Sequence, residues 1–425
     1  MAIDPERRME EVLFSTIRAA RAYEAGEPAI GTAVMLQVLD IADGDLLADW
    51  PAELLGTLTL TLRELANHLE QIGSVTQAAR VYQLLVDTYE NRHEVERVVV
   101  ARQMLSELWL RAERWSEAET ACGSALTAAE QVLSSGDAPQ EVRREMEWFR
   151  MAALGNRGTG LRGLKRIDEA HDLTVQAADG ARQLGERKAE AMYRGHTSVY
   201  LFEKGRYRQA LVELERALEL EPEDPRVQAM LFFRRAKSRQ GMWDRQQLEG
   251  RYEDMLERCV NDYSGAARLY EFAGLEHRAA DCWYLAGSQQ ALLHYVERDP
   301  AGLRRAVEFY GRGADLHRSA RRFLQLGLVT GKCAILWSQL EDLDRAQQEA
   351  RKAAWAFHRA RSHEQVAVSL LSAASFQAAL DEDAAADALT PPRFMRTFRR
   401  SLVRFERARA EMLTTDQRRL DDQNA

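Results

Sequence analysis

The sequence predicts an all-α protein, a right-handed α-solenoid in which antiparallel helical hairpins stack on one another. Three observations predict this fold class. Only 9 prolines and 25 glycines interrupt 425 residues, which favours long helices. Apolar residues recur at steps of three and four, the spacing of a helix with one buried face. A helix-turn-helix pattern also returns along the chain at a nearly constant interval.

The clearest hairpin is LFEKGRYRQALVELERALELEP, residues 201–222. Gly205 separates two apolar-periodic runs, so a turn is predicted there. Pro222 ends the second run because proline cannot continue a helix. The apolar stripe of that second helix consists of Tyr207, Ala210, Leu211, Leu214, Ala217 and Leu218.

The same pattern recurs elsewhere, with a turn residue, a bulky residue two positions later and an alanine three positions after that. The interval from Ala118 to Ala170 is longer than the others because it contains SSGDAP at 134–139, a stretch of turn composition. These alanines predict a repeated helical hairpin of about 40 residues. Ala78 to Ala118, Ala170 to Ala210 and Ala306 to Ala346 are each 40 residues apart.

Residues 191–225, AMYRGHTSVYLFEKGRYRQALVELERALELEPEDP, resemble a tetratricopeptide repeat. Ser198 matches the small residue of the family's first helix, and Tyr207 its aromatic at the turn. Ala210 and Ala217 match the alanines of the second helix, and Pro222 the closing proline. The other copies lack the proline and are longer than the family's 34-residue unit. The resemblance implies a superhelix whose concave face binds partners.

The repeats predict the organisation of the chain. A short helix at 262–274, DYSGAARLYEFAG, is expected to break the pairing of helices within the middle segment. The predicted segments are N-terminal helices at 1–58, repeats at 59–225, degenerate repeats at 226–286, repeats at 287–381, and an acidic linker, capping helix and tail at 382–425.

The capping helix is predicted from PPRFMRTFRRSLVRFERARAEM, which starts with prolines and carries an apolar stripe. Its arginines allow two interpretations, the solvated outer face of a cap or a docking site for an acidic partner or for phosphates. A net charge of -8 with mixed signs otherwise disfavours a nucleic-acid partner. The stripe consists of Phe394, Phe398, Leu402 and Phe405.

No motif predicts an enzyme, a metal site or a cofactor. HExxH, GxSxG and Gly-rich dinucleotide motifs are missing from the sequence. GLVTGKC at 327–333 departs from a phosphate loop in the spacing of its glycines, and Cys333 replaces the Ser or Thr. The four scattered cysteines predict packing residues in a reduced protein. Because neither a secretory signal nor a membrane-spanning run is evident, a cytoplasmic location is expected.

The candidate binding residues are those that the repeat register turns inward on the first helices. Met104 and Ala152 interrupt the carboxylate clamp known from one tetratricopeptide subgroup, so that clamp is not predicted. A mixed polar set beside an aromatic would suit an extended peptide, although any wet concave face has polar residues. The set is Arg63, Asn67, Gln103, Glu107, Asn156, Arg162, His196, Phe202 and Lys332.

Two functions remain open from the sequence. The first is a non-enzymatic scaffold or adaptor that binds a protein or peptide in its groove. The alternative is a regulatory sensor of the bacterial type, in which the repeats bind a small peptide or ligand and change conformation. The residues do not identify the partner, and they predict no contact with a membrane.

Overall fold

The computed structural model of the protein describes residues 5–48, 50–136, 138–244 and 251–388. Within these ranges the regular structure consists of helices, with no strand. The chain divides into two compact units, Met1–Lys204 and Gly205–Ala425. The predicted capping helix, with its arginines, lies outside the described residues.

The first unit starts with three helices that precede the repeats, and its first repeat helix, α4, starts before the boundary at residue 59. Its helices are α1 (Pro5–Glu24), α2 (Pro28–Ile41), α3 (Gly44–Ala48), α4 (Ala52–Gln71), α5 (Val75–Asn91), α6 (Val95–Arg111), α7 (Trp115–Ser134), α8 (Gln140–Gly163), α9 (Ile167–Leu184) and α10 (Arg187–Glu203).

The second unit continues with helices of similar length. The acidic stretch that starts at Asp381 belongs to the last of them, which extends to Ala388. The helices are α11 (Tyr207–Glu219), α12 (Pro225–Asp244), α13 (Tyr252–Phe272), α14 (Glu276–Glu297), α15 (Pro300–Ser319), α16 (Phe323–Gln339), α17 (Leu343–Arg359) and α18 (His363–Ala388).

Apart from the short α3, which packs against α5, consecutive helices pack against each other within each unit, and short connections make neighbours antiparallel. The predicted all-α fold of stacked helical hairpins is therefore confirmed. The repeat register is confirmed as well, because the bulky residue after each turn is the first residue of a helix in α5, α7, α9, α11 and α17. The marker alanines are all completely buried, namely Ala78, Ala118, Ala170, Ala210, Ala306 and Ala346.

Most of the described turns between helices have the same backbone conformation. The residue two positions before the next helix has a left-handed conformation, with φ of 77° at Gly73, 71° at Gly205 and 64° at Lys165. The N–H of Arg166 donates to the carbonyl of Leu161 at 2.9 Å, which satisfies a helix-terminal acceptor. Glycine adopts this conformation without steric cost, whereas lysine does not.

Small residues allow close helix crossings. A Cβ placed on Gly163 of α8 would lie 2.2 Å from Cδ2 of Trp115 in α7, and one on Gly241 of α12 would lie 2.7 Å from Cε1 of Tyr207 in α11. Each aromatic ring occupies the space that a side chain would need. Such pairs allow the helix backbones to approach.

The expected short helix at 262–274 is wrong. The helix α13 begins ten residues earlier and spans Tyr252–Phe272, 21 residues. Its buried stripe already includes Met255 and Cys259 and continues through Tyr263 and Tyr270. Because this stripe keeps the helical spacing, the degenerate segment folds as full-length helices that pack like their neighbours.

Candidate functional site

Eight of the nine candidate residues lie on the first helices of the hairpins in the first unit, α4, α6, α8 and α10, and Lys332 lies on α16 of the second unit. In α4 the leucines at 55, 58, 62, 65 and 69 are completely buried. Leu60, Arg63 and Asn67 are exposed on another face of the same helix. The 3.6-residue period therefore places the buried stripe and the candidate face on different sides.

Arg63 and Asn67 are one helical turn apart and both are exposed. Within the described residues, neither side chain has a hydrogen bond or ion pair to another residue. Leu60, one turn earlier, is 64% exposed. This face of α4 therefore presents a guanidinium and an amide that bind no other described side chain, next to an exposed leucine.

A hydrogen-bonded group connects α4 to α6 at the end of the same face. Arg111 Nη2 donates to Glu70 Oε2 at 2.7 Å, and Tyr82 Oη donates to Glu70 Oε1 at 3.3 Å. Burial, followed by the charge of Glu70, raises the pKa of Tyr82 to about 12, against the opposing effect of Arg111 and Arg63. The charges of Glu70 and Arg111 therefore already neutralise each other within the protein.

The two candidate residues of α6 differ in exposure. Gln103 is buried, 4% exposed, and its Nε2 donates to Glu107 Oε1 at 3.1 Å. Its Oε1 has no partner within the described part of the chain. Glu107 is exposed. Only Glu107 therefore contributes to the accessible face, and Gln103 lies beneath it.

On α8, Asn156 is half-buried and has no hydrogen bond among the described residues. Arg162 is exposed, but its Nε donates to Glu203 Oε1 of α10 at 2.8 Å. The carboxylate of Glu203 therefore neutralises the charge of Arg162. A ligand would therefore have to compete for Arg162, whereas Asn156 is available.

On α10, His196 and Phe202 are both half-buried and take part in contacts within the protein. The ring of Tyr193 meets His196 edge to face, with centroids 6.4 Å apart. Among the candidate residues of this unit, Arg63, Asn67 and Asn156 are therefore those without a hydrogen bond or ion pair to another described residue.

Lys332 lies in a different environment. It is exposed and lines a groove of about 240 Å³ formed by α16, α17 and α18. The groove is largely apolar, and among its walls Leu328 and Ile335 are each 49% exposed and Val368 is 58% exposed. The sequence prediction missed this groove. The available signal was FLQLGLVTGKCAILWSQ, which is apolar on more than one face of the helix.

Several chemistries find no support in the described residues. All four cysteines are buried, and burial raises each thiol pKa to about 12, so the thiols stay protonated. The stretch GLVTGKC lies within α16 rather than in a phosphate-binding loop. In the described ranges, no cluster of three or more His, Cys, Asp or Glu side chains is arranged to hold a metal ion.

Among the helices that the structure describes, none combines the length and the apolar character that crossing a bilayer requires.

Comparison with protein-family models and with curated proteins finds no match to the sequence. Solved structures do match. A signal transduction ATPase with a tetratricopeptide repeat sensor from Pyrococcus horikoshii superposes with a TM-score of 0.50 and 9% identity, over 98% of this chain and 65% of that chain. This chain has the tetratricopeptide-repeat fold. The fold accounts for the buried marker alanines and the paired helices.

Other solved repeat proteins are also similar. The apo form of RapI matches 71% of this tetratricopeptide-like chain and 98% of its own, with 9% identity and a TM-score of 0.44. A Rap protein complexed with competence and sporulation factor matches 88% of this chain and 99% of its own, with 15% identity and a TM-score of 0.41.

Proposed function

We propose that this chain is a non-enzymatic scaffold that binds an extended, acidic peptide or protein segment on the first helices of its first unit. The observation that carries the proposal is the pair Arg63 and Asn67, which are exposed on one face of α4 and have no partner within the described residues. Arg111 and Arg162 nearby are already ion-paired.

The chemistry of the pair favours a peptide. A guanidinium donates two parallel hydrogen bonds to a carboxylate, so Arg63 suits an acidic side chain or a chain terminus. An amide both donates and accepts, as a peptide backbone does, so Asn67 suits a main-chain group. Leu60 adds an apolar contact beside them. Asn156 and Glu107 extend the polar face, and Glu107 would disfavour a peptide that is acidic along its whole length.

The second candidate is a regulatory sensor that uses the same residues. The similarity to a solved tetratricopeptide repeat sensor, with a TM-score of 0.50, favours it. In a sensor, the bound peptide changes the arrangement of the helices. X-ray scattering with and without a saturating peptide distinguishes the two, since a scaffold keeps its scattering profile.

Fluorescence polarisation with labelled peptides of graded acidity tests the proposal. Replacing Arg63 or Asn67 with alanine should weaken binding by about 1 kcal/mol, roughly fivefold in Kd, because each removes an exposed hydrogen-bonding group. Higher salt should also weaken binding by the wild type, because charges on an exposed face are screened. Arg162→Ala should have a smaller effect because Glu203 already binds that guanidinium.

Arg144→Ala is the matched control, because Arg144 is also exposed and has no hydrogen bond or ion pair with another described residue, yet lies near the start of α8. The proposal fails if a partner is found whose affinity is unchanged by Arg63→Ala and Asn67→Ala. Loss of that affinity on removal of the arginines after residue 391 would instead assign the function to the C-terminal segment.

A further inference from the structure

The apolar groove of the second unit is the feature that the proposed function does not use. Leu328 and Ile335 project from α16 and Val368 from α18, and each is about half exposed to solvent. Phe357 of α17 and Phe376 of α18 complete the apolar lining. A groove with this much exposed apolar surface is typical of a binding site.

The position of the groove in the chain indicates what fills it. The groove is formed by the last three described helices, and α18 ends at Ala388. Residues 389–425 follow directly. Only Leu389 and Thr390 separate α18 from Pro391, where the sequence again predicts a helix with one apolar face. A two-residue connection therefore joins this amphipathic sequence to α18, the helix that forms one wall of the groove.

We propose that residues 391–413 dock in the groove between α16 and α18. The apolar residues Phe394, Phe398, Leu402 and Phe405 recur at steps of four, four and three, which places them on one side of a helix. Arginines such as Arg400 fall on the opposite side and would stay in water. The segment thus supplies the apolar surface that the groove lacks.

The lengths are compatible with this docking. A helix rises about 1.5 Å per residue, so a segment that turns back after α18 brings Phe405 roughly 21 Å from Pro391. Phe376 lies a similar distance, roughly 18 Å, before the end of α18. Leu402 and Phe405 therefore come level with Phe376 and, on the neighbouring helix, with Ile335. A short tether also raises the effective concentration of the segment to about the millimolar range or above.

A thiol accessibility experiment on the full-length chain tests the proposal. The four native cysteines are buried, so Ile335→Cys introduces a single thiol in the groove for alkylation. Leu402→Asp is then added to weaken docking, and Arg400→Gln, which also lowers the net charge by one, serves as a control on the other side of the predicted helix. Circular dichroism verifies that the variants keep their helix content, and Leu328→Cys replaces Ile335→Cys if the latter does not fold.

Docking predicts slow alkylation of the thiol that Ile335→Cys introduces. The rate should be unchanged by Arg400→Gln and about tenfold faster with Leu402→Asp, because burial of one leucine contributes more than the free energy of a tenfold change. Equal rates in all three proteins overturn the proposal. Protection that increases with protein concentration overturns it in favour of a second copy of the chain. Protection that needs an added apolar peptide overturns it in favour of a separate partner.

Discussion

The ring of Tyr193 in α10 lies directly over the backbone of Gly155 in α8, where an added Cβ would approach Tyr193 Cε1 to 2.2 Å. Tyr193 is 5% exposed, and burial, with a further contribution from Glu107 of α6, raises its pKa above the ordinary value. The missing side chain at 155 thus lets an aromatic ring of α10 pack against the backbone of α8. This contact joins two first helices of the first unit.

Gly155→Ala should destabilise the protein by about 1–3 kcal/mol, because the new methyl group would displace the buried ring of Tyr193. Urea denaturation followed by circular dichroism measures the change. Gly56→Ala in α4 is the control, since a Cβ there meets no heavy atom within 4 Å. Alanine should stabilise that helix by up to about 1 kcal/mol. Equal midpoints for the two variants would contradict the close contact at Gly155.

Replacing Ala118, Ala210 or Ala346 with leucine should cost about 1–3 kcal/mol, because each alanine is completely buried at a helix crossing. Thermal denaturation checks the result. The control is Glu215→Leu, because Glu215 is exposed on α11. Glu213, which the repeat pattern predicts to be exposed, is a poorer control because its side chain is only 19% exposed. If the variants with leucine at positions 118, 210 and 346 melt at temperatures as high as that of Glu215→Leu, the helix crossings are loosely packed.

Lys165→Gly should stabilise the chain by roughly 1 kcal/mol, since Lys165 has a left-handed backbone with φ of 64° and glycine removes the steric cost. The reciprocal change Gly205→Lys, at an equivalent turn with φ of 71°, should destabilise it by a similar amount. Chemical denaturation of both variants beside the wild type measures these opposite shifts. Shifts of the same sign would mean that side-chain contacts outweigh backbone conformation at these turns.

Stability should fall as the pH decreases from about 6.5 to about 4 through the titration of His317. This residue is 1% exposed, and burial, then Arg322, lower its pKa to about 4, against the opposing charge of Asp281, whose Oδ1 lies 3.9 Å from Nε2. In that window the unfolded chain binds a proton that the folded chain excludes, so acid favours unfolding. His317→Gln should flatten the dependence of the urea midpoint on pH between these limits. A pH dependence for His317→Gln as steep as that of the wild type would contradict this assignment.

The repeat register could be predicted from the sequence because it depends on local periodicity. An apolar stripe at 3.6-residue spacing and an alanine at each crossing are visible in single helices, and the helices α5, α7, α9, α11 and α17 start where the pattern predicts. The same reasoning was wrong for α13, whose buried stripe already starts at Met255, before the short helix that the sequence predicted.

The candidate face could be predicted only in part. The period of α4 placed Arg63 and Asn67 on an exposed face, as the structure finds. The helical period of α8 did not indicate that Arg162 binds Glu203, because the two residues are 41 positions apart and meet only when α8 and α10 pack together. Nor did the period of α6 indicate that Gln103 is buried.

The sequence by itself determined that this chain forms helical hairpins, where most of them turn and which alanines lie at their crossings, because these properties follow from residue spacing within a helix. Only the tertiary structure decided which polar side chains stay free for a ligand and which apolar ones line a groove. Charge compensation between Arg162 and Glu203, and the groove between Ile335 and Val368, depend on the distance between helices that are separated by a whole repeat. That distance is set by the packing of all the residues between them.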